Sequence, residues 1–320
     1  MGQLSLQKTF LIAPYIEGIV YGIFAAIFAF TMCIHYSKII NGSPHLGRHS
    51  NVMIGISSVM FFIATFHMAI NAYRMVEGYV DHAQGPGGAS AYMSNLRSWH
   101  YILKDVLYAT QENLGIAAAL KIYRCWVLWS YNLKIILFPS VLLIVNIVAG
   151  YMVCGLYHTV SSTGTNTVFS PLLTTWIKIF FSLTVASNIV TTSLTSYRIW
   201  NTHRQSAMYT GVEGDHRLKS VLRILVESAA LQLVVQIFLL ALYTSGINAQ
   251  YIILESIASI VGITFNALII RIKLESMSTT EVHSDVEGAT QTIGRMPTRR
   301  LQVHVELEHR VEDDLSVHSK

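Results

Sequence analysis

The stretch PYIEGIVYGIFAAIFAFTMCIHY, Pro14–Tyr36, decides the fold class. It holds one carboxylate, Glu17, and no lysine or arginine. At about 1.5 Å of rise per residue it is long enough to cross the ~30 Å hydrocarbon core of a bilayer. Six more candidates follow, near Val52–Arg74, Lys104–Trp129, Lys134–His158, Leu172–Trp200, Leu218–Tyr243 and Gln250–Ile272. The first, fourth, sixth and seventh are nearly continuous apolar runs. The third is broken by Asp105, Gln111, Glu112, Asn113, Lys121 and Arg124, so neighbouring helices must shield it. The expected fold is an all-α membrane protein, a seven-transmembrane helix bundle.

Composition agrees. Of 320 residues, 12% are charged, about half the roughly 25% of soluble domains, and 52% are apolar. So little charge argues against a disordered chain, a solvated coiled coil or a nucleic-acid binder. The net charge of +4 hides an asymmetry. Residues 1–274 carry 17 basic and 9 acidic side chains, whereas residues 275–320 carry 5 and 9. The first segment is expected to be the seven-transmembrane helical domain, the second an acidic, Ser/Thr-containing and mostly disordered cytoplasmic tail.

Lysine and arginine near the helix ends set the expected orientation. With the N-terminus outside, the inner face collects Lys38, Arg48, Arg124, Lys134, Arg198, Arg204, Arg217, Lys219, Arg271 and Lys273. The outer face then has only Lys8, Arg74, Arg97 and Lys104. Tyr15, Tyr73, Trp99, Trp126, Trp129, Tyr157, Trp200, Tyr243 and Tyr251 stand where spans end and read as interfacial anchors. The first apolar run is too long for a cleaved signal and reads as a retained anchor. Cys33, Cys125 and Cys154 read as packing residues, since no pair can close across the outer face. The plasma membrane is the expected location. The expected partners are the lipid bilayer, an extracellular small ligand and a cytosolic signalling protein.

An ionisable side chain at membrane depth costs about 2.5–3.5 kcal/mol on insertion scales, so each one needs a reason. Glu17, His67, Asp105, Glu112, Lys178 and Glu255 all fall in the outer half. Asp105, Tyr108 and Glu112 recur on one helical face, as do Glu255, Ser259, Gly262 and Asn266. Glu112 and Lys178 lie at similar depth and are expected to form an ion pair. The candidate ligand-binding residues are therefore His67, Asp105, Glu112, Lys178 and Glu255; inter-helix pairing alone also accounts for them. Near the midplane, Arg223 and Glu227 pair on one helix or latch the third helix to the sixth. Tyr123-Arg124-Cys125-Trp126 and Tyr197-Arg198-Ile199-Trp200 end the third and fifth helices with a common pattern. Snorkelling and interfacial anchoring explain it, and a cytoplasmic coupling surface is the functional alternative.

Reaction chemistry has little support, and the chain is not expected to be an enzyme. P-loop, Rossmann, serine-elbow and HExxH patterns are all missing from the sequence. His45 and His49 have metal-like spacing but sit in a Gly- and Pro-containing loop without a carboxylate partner. No metal and no cofactor is expected.

Five segments, taken in order, resemble a large family of uncharacterised seven-transmembrane proteins of mushroom-forming basidiomycete fungi. They are VYGIFAAIF at Val20–Phe28, KIYRCWVLW at Lys121–Trp129, TSYRIWNTHR at Thr195–Arg204, Glu227-Ser228, and GITFNALIIRIKL at Gly262–Leu274. The resemblance runs through most of the body but not the tail. It departs after Glu227-Ser228, where Ala229-Ala230-Leu231-Gln232 replaces a Gly- and Tyr-containing stretch, and at Asn266, which replaces a proline-containing version. The resemblance implies an outside N-terminus, seven helices and an inside tail, and it supplies no activity or ligand. Its likeness to G-protein-coupled receptors is one of topology. A receptor-like signalling role is the first expectation, a small-solute or ion transporter or channel the second, and a membrane-embedded enzyme the third.

Overall fold

Lipid removes water as a hydrogen-bond partner, so a chain this apolar must satisfy its backbone within helices. The computed structural model describes residues 5–40, 48–85, 88–115, 133–157, 170–209 and 213–293. Among these residues every regular element is helical. The elements are α1 (Leu6–Ile40), α2 (Arg48–Val76), a π-turn (Glu77–Asp81), α3 (Gly88–Met93), α4 (Trp99–Gly115), α5 (Leu133–Leu156), α6 (Pro171–Tyr209), α7 (Glu213–Thr244) and α8 (Gln250–Ile293). Hydroxyls inside the helices turn back on their own backbone. Thr31, Ser58, Thr65 and Thr110 each donate to the carbonyl four residues earlier, which spares lipid from meeting them.

The surface is the reverse of a soluble protein's. Tyr15, Phe30, Phe62, Phe66, Leu137 and Phe138 are exposed, while Glu17, Gln111, Glu112, Asn146 and Asn266 are buried. Exposed apolar area on this scale demands an apolar solvent. Among the described residues, five helical segments are long and apolar enough to cross a membrane: Leu6–Ser37, Asn51–Asp81, Leu137–Leu156, Pro171–Leu194 and Gln250–Ile270. The chain is an integral, multi-pass membrane protein.

The other two of the seven expected spans lie partly outside the described residues. The second half of the third is one such part, leaving the polar, 17-residue α4. In α7 the side chains of residues 213–226, 228 and 229 lie outside the described residues, and Ala230–Thr244 is a shorter apolar helix.

The last span is the central one. Inside the bundle, 61% of its apolar window is buried, against 17% for α1. Gly262 makes this possible: a Cβ there would stand 2.4 Å from Phe24 Cζ, so only glycine admits the ring of α1. Ser57 Oγ donates to Asn266 Oδ1 at 2.7 Å, and Gln111 Nε2 donates to the Ala258 carbonyl at 3.1 Å. Lys273 Nζ meets His35 Nδ1 at 2.9 Å near the opposite end of α1. Thus α1, α2 and α4 all bond to α8.

Two connections shape the end of the bundle that carries the start of α1. Gly246, at φ 67°, ends α7 in a left-handed residue. Its N–H donates to Tyr243 O at 3.1 Å and Ile247 N–H to Leu242 O at 3.0 Å, a Schellman close. That turn launches α8 with Gln250 and Tyr251 pointing into the bundle, both buried. The connection from α2 to α4, where the sequence allows either a cover or a floppy loop, is tied down in its described part. Arg74 Nη2 donates to Met93 O at 2.8 Å, Tyr92 OH donates to the Glu77 carboxylate, and Tyr79 OH donates to Gln7 O at 2.9 Å. Burial, with the neighbouring Glu77 charge, pushes the Tyr92 phenol pKa well above its ordinary value.

The chain divides into a compact unit, Met1–Leu274, and a second unit, Glu275–Lys320. Helix α8 runs on through residues 275–293, and residues 294–320 of the expected tail lie outside the described residues. A helix already nucleated propagates at little cost, and no proline intervenes before Pro297.

Candidate functional site

Helices that alternate in direction bring Glu17, His67, Lys104, Asp105, Tyr157 and Glu255 to one end of the bundle. The first part of the site is a knot of charges, all buried. Glu17 Oε1 lies 2.7 Å from His67 Nδ1, and the other imidazole nitrogen lies 3.6 Å from Glu255 Oε2. Asn71 Nδ2 donates to both carboxylates, at 2.7 Å to Glu17 and 2.6 Å to Glu255. Lys104 Nζ donates to Glu255 Oε1 and stands 3.7 Å from Asp105 Oδ1. Four helices, α1, α2, α4 and α8, are therefore fastened by one network. A buried charge is tolerated only when paired and hydrogen-bonded, and each member here has at least one such partner.

The second part is a small chamber of about 40 Å³ beside the knot, walled by α4, α5, α6, α7 and α8. Its lining is dominated by Tyr101, Tyr108, Tyr157, Tyr243 and Tyr251. Tyr101 meets Tyr157 edge to face at 5.4 Å and 85°, and Phe181 meets Tyr243 at 5.6 Å and 88°. Asp105 is the one carboxylate in the lining; its Oδ2 accepts a 2.5 Å hydrogen bond from Tyr157 OH. Gln250 adds an amide whose Nε2 has no hydrogen-bond partner, on a side chain only 3% exposed. The make-up matches ligand sites generally, which are mostly apolar with a few placed polar groups.

A third layer lies deeper. Gln236 Nε2 donates to Glu112 Oε1, and Asn188 Nδ2 donates to Gln236 Oε1 at 2.5 Å. Asn146 Nδ2 donates to Asn113 Oδ1 at 3.0 Å, and Asn146 Oδ1 accepts from Thr184 Oγ1 at 3.1 Å. These bonds run across α4, α5, α6 and α7 and read as inter-helix glue.

The structure sorts the expected ligand-binding residues among these layers. Asp105 lines the chamber, His67 and Glu255 belong to the knot, and Glu112 belongs to the deeper layer. The expected Glu112–Lys178 ion pair is corrected. Among the described residues no ion pair joins them, because Glu112 is turned toward Gln236 of α7. Lys178 is half-buried, on the flank of the buried stripe Leu173, Ile177 and Phe181. Two groups counted as outer-face charges, Arg74 and Lys104, are 2% exposed, and both sit over the Tyr101 ring, at 4.8 and 4.9 Å. Of the expected interfacial aromatics, Tyr15, Tyr73, Trp99 and Trp200 are exposed. Tyr157, Tyr243 and Tyr251 are instead buried in the chamber wall. No sequence signal distinguishes the two groups, since both stand at span ends.

Of the expected coupling surface, Tyr197 and Trp200 are exposed. Tyr123, Arg124 and Trp126 lie outside the described residues, as do the side chains of Arg198, Arg223, His45 and His49. Cys154 is buried and Cys33 exposed, both free; Cys125 lies outside the described residues.

Glu17, His67 and Glu255 each offer one ligand atom within 4.8 Å of the others. Two carboxylates and an imidazole are donors suited to zinc. Asn71 and Lys104 already engage both carboxylates, so a metal ion would have to displace an amide and an ammonium. The set suits the protein's own donors better. Comparison with family models, curated proteins and solved structures finds no match to this chain.

Proposed function

We propose that this membrane protein is a receptor-like, seven-helix bundle. In that reading its N-terminus is outside, its tail is in the cytoplasm, and it lies in the plasma membrane. The segments 104–129 and 218–243 complete the seven spans, shielded by the deeper polar layer. A small extracellular ligand enters the aromatic chamber, and a cytosolic signalling partner reads the opposite end through Tyr123, Arg124, Trp126, Tyr197, Arg198 and Trp200. The observation that carries this reading is the aromatic chamber with Asp105 and Gln250 in its lining, walled by five helices at one end of the bundle. The Lys/Arg asymmetry and the resemblance in sequence support the same orientation.

The test is a cross-linking pull-down from cells with the wild-type chain and with Arg124→Ala plus Arg198→Ala. A cytosolic partner should be captured by the first and lost by the second. Identical partner sets would remove the coupling surface.

A second reading is favoured by the knot. His67 wedged between Glu17 and Glu255, next to Lys104, is a buried set of proton-exchanging groups such as ion-coupled transporters use. A transporter should move solute in liposomes containing no other protein, and His67→Gln should stop that movement. A receptor should move none.

A further inference from the structure

We propose that the chamber takes a small organic cation, an amine with a short apolar body. This rests on the reading of the chamber as a ligand site and adds the chemistry of the ligand.

Charge comes first. Among the described residues, Asp105 is the one charged residue in the chamber wall. Its Oδ2 is taken by Tyr157, whereas Oδ1 accepts no hydrogen bond among the described residues. The cation nearest to Oδ1 is Lys104, at 3.7 Å, too far for a hydrogen bond and committed to Glu255. The Asp105 side chain is 11% accessible, and because the residue lines the chamber, that free surface opens into it. A carboxylate oxygen facing an apolar space without a donor is costly. A ligand N–H removes that cost.

The walls agree with the charge. Five tyrosines present ring faces and edges around the same space, and a cation is attracted to an aromatic face, most strongly when desolvated. Arg74 and Lys104 already use this attraction on Tyr101. Neither lines the chamber, and each has its own acceptor, Met93 O for Arg74 and Glu255 for Lys104. Among the described residues no cationic side chain in the wall would receive an anion.

Gln250 supplies orientation. Its Nε2 is a donor without a partner on a buried side chain. It fits a ligand that carries an acceptor oxygen at the end away from its nitrogen. A purely hydrocarbon ligand would leave both Asp105 and Gln250 unsatisfied, so lipid-like occupants fit poorly.

The experiment uses the full chain in phosphatidylcholine nanodiscs and two probes of one shape, ethylamine and ethanol, near neutral pH. Binding is read by thermal shift and by calorimetry, with about 10 mM as the highest concentration. The amine should bind at least about tenfold more tightly than the alcohol. Asp105→Asn, shown folded by an unchanged helical circular-dichroism spectrum, should erase that preference. Gln250→Ala should leave the preference intact, because ethylamine has no acceptor oxygen. Equal binding of the two probes, or an unchanged preference in Asp105→Asn, overturns the cation and leaves the chamber standing as a site for neutral ligands. Binding of neither probe also overturns it, and the pull-down above then decides separately whether the protein signals at all. Should Asp105→Asn misfold, Asp105→Glu is read instead and should keep the amine preference.

Discussion

The charged knot and the aromatic chamber occupy the same end of the bundle, and on two helices a single residue step separates them. On α4, Lys104 belongs to the knot and Asp105 to the chamber; on α8, Glu255 belongs to the knot and Leu254 to the chamber. In the knot, two carboxylates, an imidazole, an amide and an ammonium satisfy one another within hydrogen-bond or ion-pair distance. In the chamber, seven aromatic side chains surround one acid and one amide that are only partly satisfied. The lesson concerns where to look for a site in a membrane protein. Dense charge marks the place where the protein has answered its own electrostatics, while sparse charge against an apolar wall marks a demand left for something else.

This contrast predicts different costs for different substitutions. The largest belongs to the knot. Glu255→Leu strands Lys104 in an apolar interior and should cost about 3–5 kcal/mol, read as a lower unfolding temperature in detergent. The double variant Glu255→Leu with Lys104→Met should recover most of that loss. A double variant as unstable as the single one would break the assignment of the pair. The next effect tests packing between the regions and the rest of the bundle. Gly262→Leu drives a side chain into Phe24 and should cost about 1–3 kcal/mol, partly restored by Phe24→Ala.

Smaller effects fall in the chamber. Tyr157→Phe removes one hydrogen bond to Asp105 and should lower stability by only about 0.6–1.7 kcal/mol. A loss as large as that of Glu255→Leu would mean that Asp105 belongs energetically to the knot. Smallest of all, Lys178→Met should change unfolding by less than about 0.5 kcal/mol, since the lysine lies on a half-exposed flank. A clear destabilisation would restore the discarded partnership with Glu112.

Depth was legible in the sequence, and azimuth was not. Long apolar runs in a chain with little charge gave the helices. Counting along each run put Glu17, His67, Asp105 and Glu255 at one level. Which of them touch depends on how each helix is rotated about its axis, and no residue count states that. Glu112 and Lys178 were paired on depth alone, and rotation instead turned Glu112 toward Gln236. Lys104 and Arg74 read as surface charges because positive residues at span ends usually snorkel. Here the fastened connection after α2 and the buried Glu255 draw both inward. The tyrosines of the chamber were visible only as residues at span ends, where anchoring at the interface and lining a cavity look alike.

The Lys104–Glu255 bond has a mechanical meaning as well as an electrostatic one. It pins α4 to α8 at the level where each helix turns its next residue toward the chamber. A pinned pair of rods cannot slide past one another, so that one bond fixes the register of α4 against α8, and with it the placing of Asp105 opposite Leu254 in the chamber wall.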